Sequence, residues 1–344
     1  MSTSDLPGPH IQAWLALSGR MTRHRASLPG GARTVVGMRI VSLVPHATEL
    51  LFALGLGPEV VAVTHECDYP PAATVLNKVT RDMLPAGLSA AEIDAAVRER
   101  TQCGDAIYEL DGDALAALNP NLIVTQALCP VCAVSYTEVA ELAKEIPSCP
   151  QVISLDPHTL AETLEDVHTV AEATDCRERG AELVGELTAR IDRIKRVVQD
   201  RPRRRVAALE WLDPLYIAGH WTPELVELAG GEDVLGSPGA PSTTVSWEAL
   251  AATRPEVVVA MPCGYDAARA HVEALAYSNE LAALCAEQVV AVDASAYFSR
   301  PGPRLVDGLE LLAHVLHPED VPDAPAVALT VELGPAGVLG SHVS

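Results

Sequence analysis

A twelve-residue pattern occurs twice in this chain. ALAALNPNLIVT (114–125) and ALAATRPEVVVA (249–260) share Ala-Leu-Ala-Ala, a proline six residues after the first alanine, and a closing apolar run of strand length. Each reads as a short helix, a proline-marked turn and a buried strand, and each leads into a loop holding Pro and Cys, ALCPVC and MPCG. One such unit is ordinary in any α/β protein, whereas agreement in this order and spacing points to duplication. The chain therefore folds as two similar lobes, and two lobes leave a cleft between them.

The rest of the pattern fits that plan. RIVSLV (39–44), EVVAVT (59–64), NLIVTQ (121–126) and QVISLD (151–156) are apolar runs separated by amphipathic stretches, as in an α/β sheet. RRVAALEW (204–211), EVVVAM (256–261) and QVVAVD (288–293) repeat them, with PRLVDGLELLAHVLH (303–317) as a closing helix. Between the halves, apolar residues at 183, 184, 187, 191, 194, 197 and 198 predict one long amphipathic helix over about 177–199. The fold class is α/β, with two Rossmann-like lobes joined by that helix. The expected divisions are an arm at 1–37, a lobe at 38–158, linker helices at 159–200, a lobe at 201–318 and a tail at 319–344. AVALTVEL in the tail reads as a strand. GLG (55–57) follows a helix and precedes a strand, the order of a helix C-cap and not of a dinucleotide loop.

Composition narrows the function classes. Lys and Arg number 24 against 46 Asp and Glu, a net charge of -22, which disfavours nucleic acid and anionic membranes as partners. No apolar run reaches transmembrane length, so no membrane insertion is expected. The N-terminus, MSTSDLPGPHIQAWLALSG, makes a poor secretion signal, so the expected location is cytoplasmic and the eight cysteines are expected as thiols or metal ligands. GxxxxGK[ST] and GxSxG are both absent.

Chemistry-bearing residues collect just after the strands, where open α/β sheets bind ligands. SLVPHATE supplies His46 and Glu49, and THECDYPP supplies His65, Glu66 and Cys67. QALCPVC supplies Cys129 and Cys132 in the CxxC spacing of a tetrahedral metal site or a redox pair. The second lobe adds Glu210, Trp211, Tyr216, His220, Trp221, Cys263, Tyr297, Phe298 and Arg300, and Arg81 joins the ligand-binding set. Scarce aromatics on loops suit a ligand platform; Trp247, which opens a helix, suits packing. His65, Cys67, Cys103, Cys129, Cys132 and Cys263 form the metal-ligating set, for zinc or an iron–sulfur cluster. His65 and Cys67 are expected in the cleft beside CPVC, with Glu66 outward and Asp68 and Tyr69 serving the turn. Cys149, Cys176 and Cys285 are expected to be structural.

RIVSLVPHATELLFALG, the DYPP turn, ALNPNLIV, PLYIAG, LVELAGGEDVL, SWEALAATRPEVVV and YFSRPGPRLVDGLELLA resemble, in order, the substrate-binding proteins of cobalamin and ferric-siderophore ABC importers, in particular the cobalamin branch. The resemblance spans roughly 38–318. It implies rigid lobes on a long helix, the helical-backbone type of metal-chelate receptor, with a corrinoid between the lobes. It also implies Tyr216 against the ligand, Tyr297 and Phe298 in place of a Trp-Phe pair, and docking acids at Glu66 or Glu49 and at Glu224. Against importer docking stands the missing secretion signal. HECDYP, ALCPVC and an apparent insertion at 84–109 set the chain apart within that family. Two functions follow: a cleft-binding protein for a corrinoid or related metal chelate, with His46, His65 or His220 as axial donor, or a metalloprotein or enzyme built on the Cys/His set.

Overall fold

A computed structural model describes residues 37–85, 87–88, 90–103, 106–127 and 134–333. The expected arm, apart from Gly37, and the end of the expected tail lie outside the described residues. Among those residues no helix is long and apolar enough to cross a membrane.

The first sheet begins with β1 (Ile40–Ser42), which runs into α1 (Pro45–Ala53), and continues with β2 (Val60–Val63) and β3 (Asn77–Lys78). α1 ends as GLG predicts. Gly55, at φ 73°, donates to the carbonyl of Phe52 and Leu56 donates to that of Leu51, a Schellman closure that needs the left-handed residue in the middle. β4 (Thr80–Asp82), α2 (Ala90–Cys103) and β5 (Tyr108–Leu110) form an excursion, rooted by the antiparallel pairing of β4 with β5. α3 (Gly112–Leu118), β6 (Leu122–Thr125), α4 (Tyr136–Glu145) and β7 (Gln151–Ser154) complete a parallel sheet in the order β3-β2-β1-β6-β7. Successive residues of β1 serve opposite faces. Ile40 packs in one core with Leu51 and Val167, and Val41 in another with Leu115 and Val139.

Two helices follow. α5 (Leu160–Ala173) starts in a capping box between Thr159 and Glu162, and α6 (Arg177–Val198) is the long amphipathic helix expected from its period. Gly180 lets the pair touch, since a Cβ there would lie 2.5 Å from that of Ala171. Leu183 packs against the core of either half, and Arg190 and Arg193 grip Glu310 across a largely apolar contact.

The second half is a mixed sheet. It contains β8 (Arg204–Leu212), β9 (Leu215–Ile217), α7 (Thr222–Leu228), β10 (Gly231–Asp233), β11 (Thr243–Thr244), α8 (Trp247–Thr253) and β12 (Val257–Ala260). α9 (Ala267–Ala276), α10 (Ser278–Ala283), β13 (Gln288–Ala291), α11 (Ala294–Tyr297), α12 (Leu305–Leu316) and β14 (Leu329–Thr330) follow. The order is β11-β9-β8-β12-β13-β14, with β10 also on β8. β14 comes from the expected tail and pairs antiparallel with β13, so the chain after His317 extends the sheet.

The repeated sequence is repeated in space. α3 and α8 are each capped by a side chain three residues before the duplicated alanine, Asp111 for Ala114 and Ser246 for Ala249. Both end in a left-handed residue, Asn119 and Arg254. Asn121 and Glu256 each accept, through the side chain, the backbone N–H of an arginine at the start of the central strand, Arg39 just before β1 and Arg205 second in β8. Each arginine in turn donates to the last turn of its short helix, Arg39 to Leu118 and Arg205 to Thr253. Random convergence on one helix–turn–strand unit does not require these matching contacts.

Candidate functional site

The loops after β1, β2 and β6 face those after β9, β12 and β13, with Glu210 at the end of β8, across a cavity of about 470 Å³. His46, Glu66, Tyr108 and Gln126 line it from the first lobe, and Glu210, His220, Trp221, Met261, Cys263, Phe298 and Arg300 from the second. A neighbouring hollow of about 640 Å³ shares Glu66, Tyr108, Glu210 and Cys263 with it, and adds Trp211 and Tyr216.

His46 sits in the first turn of α1, 4 % exposed, and its Nε2 has no partner among the described residues. Burial drives its pKa down to about 4, against the opposing pull of Asp156. His220 holds φ 53°, lies tilted against the rings of His158 and Trp221, and its pKa is likewise lowered by burial and then by His158. Both imidazoles are therefore neutral at pH 7. Trp221 is held by a 2.7 Å hydrogen bond from Nε1 to the backbone carbonyl of Phe298, and both residues line the cavity. Burial raises the pKa of Glu66, whose Oε1 accepts the Tyr108 hydroxyl at 3.1 Å, and also raises that of Glu210, which accepts from Ser242.

An ionic clasp joins the lobes along one rim. Arg304 holds Glu49 through two nitrogens at 2.8 and 2.5 Å and lies over the ring of Tyr69, 4.1 Å from its centre. Arg300 bonds Asp68 at 2.5 Å, lies 3.5 Å from Glu49 and reaches the carbonyl of Glu66 at 3.3 Å.

Several expectations change. The Glu49 side chain is 2 % exposed inside the clasp, paired with Arg304 and Arg300, and does not line the cavity. Glu66 turns inward, because Tyr108 draws its carboxyl into the cleft. Glu224 accepts the backbone N–H of Leu160 and so secures the start of α5. Arg81 is largely exposed and paired with Glu109, outside the cavity. Tyr297 packs on the core of the second lobe and lies outside the cavity lining, whereas Phe298 belongs to that core and also lines the cavity. Asp68 and Tyr69 do more than shape a turn, since both bind the clasp arginines.

The metal set also changes. Cys67 is 3 % exposed in the core; its Sγ lies 3.0 Å from Thr48 Oγ1, and burial pushes the thiol up, away from the thiolate a metal needs. His65 is tied by Nδ1 to Thr80 Oγ1 at 2.8 Å and packs on Tyr108, which lines the cavity where His65 does not. Cys263 lines the cavity. Cys129, Cys132 and the side chain of Cys103 lie outside the described residues. Among those residues, no three His, Cys, Asp or Glu side chains gather as a metal site. Cys149 and Cys285 are exposed; Cys176 is buried.

Sequence reasoning missed Tyr108 and Arg304. Tyr108 falls within 84–109, the stretch expected as an insertion, and Arg304 stands where the closing helix is expected to start. The GPR that precedes α12, facing a buried PHATE helix, was the available signal.

Two α/β lobes on a helical connector, with one cleft at the carboxyl ends of their strands, define a two-lobed ligand-binding protein. Residues 40–296 match the periplasmic binding protein family, and the chain belongs to it. It is similar to the vitamin B12-binding protein of Vibrio cholerae, at 26 % identity over 274 residues, or 79 % of this chain and 86 % of that one. The crystal structure of the periplasmic vitamin B12 binding protein of Vibrio cholerae matches at TM-score 0.59 and 24 % identity, covering 81 % of this chain and 96 % of that one. A periplasmic heme binding protein from Pseudomonas aeruginosa matches at TM-score 0.65 and 19 % identity, covering 87 % and 99 %. These structural likenesses establish the fold.

Proposed function

We propose that the protein binds a corrinoid, or a closely related planar metal chelate, in the cleft between its lobes. The observation that carries this reading is the cavity wall, where Trp221 and Phe298 offer an apolar platform beside the neutral imidazoles of His46 and His220. An aromatic wall suits the flat face of a macrocycle, and a neutral imidazole is the form that donates to a metal centre. His220 stands in the wall already. His46 Nε2 is sealed from solvent, so it reaches a metal only if its side chain turns. The sequence likeness to a vitamin B12-binding protein supports the same ligand class. Exposed thiols at Cys149 and Cys285 suit a reducing compartment, and we read the site of action as cytoplasmic.

The absorption spectrum of protein purified without oxygen tests this. Corrinoid bands, retained or gained on adding aquocobalamin, support it. Sulfur-to-iron charge-transfer bands that vanish on loss of Cys129 or Cys132 would establish the cluster reading instead.

A further inference from the structure

The hollow beside the main cavity owes one wall to the excursion between β4 and β5. Leu84, Leu88 and Ile93 form that wall, and Trp211, Tyr216 and Tyr265 of the second lobe face them. The excursion is held at both ends. Arg81 and Glu109 pair across its root at 2.5 Å, and Arg269 of α9 donates to the carbonyl of Leu88 at 3.3 Å. A chamber of about 640 Å³ is thus walled on one side by the segment between β4 and β5.

Its polar groups are one-sided. Glu66 and Glu210 line both hollows, so carboxyls from opposite lobes stand where the two adjoin. Asp82 adds a third acid. Among the described lining residues Arg269 is the one cation, and it is occupied. Its guanidinium lies 3.7 Å from the centre of the Tyr265 ring and donates to the Tyr265 hydroxyl and to Leu88. Resting on the binding reading above, we propose that this chamber is a second subsite, for a ligand arm that bears amide or other uncharged N–H donors, and that it rejects carboxylate arms. Amide N–H groups reaching both hollows meet carboxyl oxygens that accept hydrogen bonds on either side. A carboxylate there finds acids and no free cation, and loses its water uncompensated.

The test compares dicyanocobinamide, a corrin whose arms are amides, with hemin, a tetrapyrrole whose arms are carboxylates, by fluorescence titration. The wild type is expected to bind dicyanocobinamide at least about tenfold more tightly. Ile93→Trp, which fills the chamber from α2, is expected to weaken dicyanocobinamide about tenfold, with secondary structure by circular dichroism as the control for folding. Should that variant not fold, the Glu66→Gln and Glu210→Gln variants serve, and each is expected to narrow the preference over hemin. Hemin bound as tightly as dicyanocobinamide, or dicyanocobinamide indifferent to a folded Ile93→Trp protein, overturns the subsite and leaves the corrinoid reading standing. If neither cobinamide nor cobalamin binds, the corrinoid reading falls and the subsite falls with it.

Discussion

His46 makes the stability of this protein depend on pH in a calculable way. Its folded-state pKa is lowered to about 4 from 6.5, first by burial. As pH falls, the unfolded chain takes up the proton near 6.5 while the folded chain resists until near 4. Stability is therefore fully present above pH 6.5 and is lost through that window. At about 1.4 kcal/mol per pH unit of separation, the loss is about 2 kcal/mol by pH 5 and about 3 kcal/mol below pH 4. Buried acids such as Glu66 and Glu210 change in the opposite sense, so the total curve mixes signs, and only a difference isolates His46. The comparison is urea unfolding at pH 7.5 and pH 5, in the wild type and in His46→Asn. The wild type should lose about 2 kcal/mol more than the variant between the two conditions. Equal losses, within about 0.5 kcal/mol, would refute the claim that a neutral, sealed imidazole lies under the cleft wall.

Glu49→Gln should cost about 3 kcal/mol by urea unfolding, because it leaves Arg304 and Arg300 without their most buried partner; a loss below about 0.5 kcal/mol would mean the clasp is not formed. Cys67→Ser should lower stability by about 1 to 2 kcal/mol and leave metal content, read by elemental analysis, at the wild-type value, since the thiol packs among core side chains and Thr48. Asp166 has its pKa raised to about 7, by burial and then by Asp156, Glu162 and Glu165. Wild-type stability is therefore withdrawn as pH rises from about 4 to 7. Asp166→Asn should recover roughly 1 to 2 kcal/mol of it at pH 7.5, after allowance for screening at a partly exposed group, and nothing at pH 4.

Much of the frame was legible because it rests on local periodicity. Val257–Ala260 and Leu122–Thr125 are apolar at every position and buried at every position, as parallel strands covered on both faces must be. The 3.6-residue period of α6 was equally plain. β10, β11 and β14 were hidden or faint, because short edge strands such as Thr243–Thr244 carry little pattern of their own. The cleft's location followed from the strand ends, but side-chain direction within a loop did not. THECDYPP is the instructive case. His, Glu and Cys stand side by side in sequence, yet Thr80 takes the imidazole, Tyr108 takes the carboxyl and Thr48 takes the thiol. All of these partners lie more than a dozen residues away, so the chemistry suggested by adjacency is divided among three surroundings. Arg300 was expected to meet ligand; it does line the cavity, but its charge is balanced by Asp68, a pairing of residues 232 apart that no local pattern announces.

The central claim is that the cleft takes a corrinoid, and calorimetric titration of the purified chain with cyanocobalamin at pH 7.5 tests it most directly. The account predicts saturable one-to-one binding, with Kd of about 1 µM or tighter and quenching of Trp221 fluorescence that tracks the heat. No saturable heat and no quenching up to about 100 µM cyanocobalamin would contradict it.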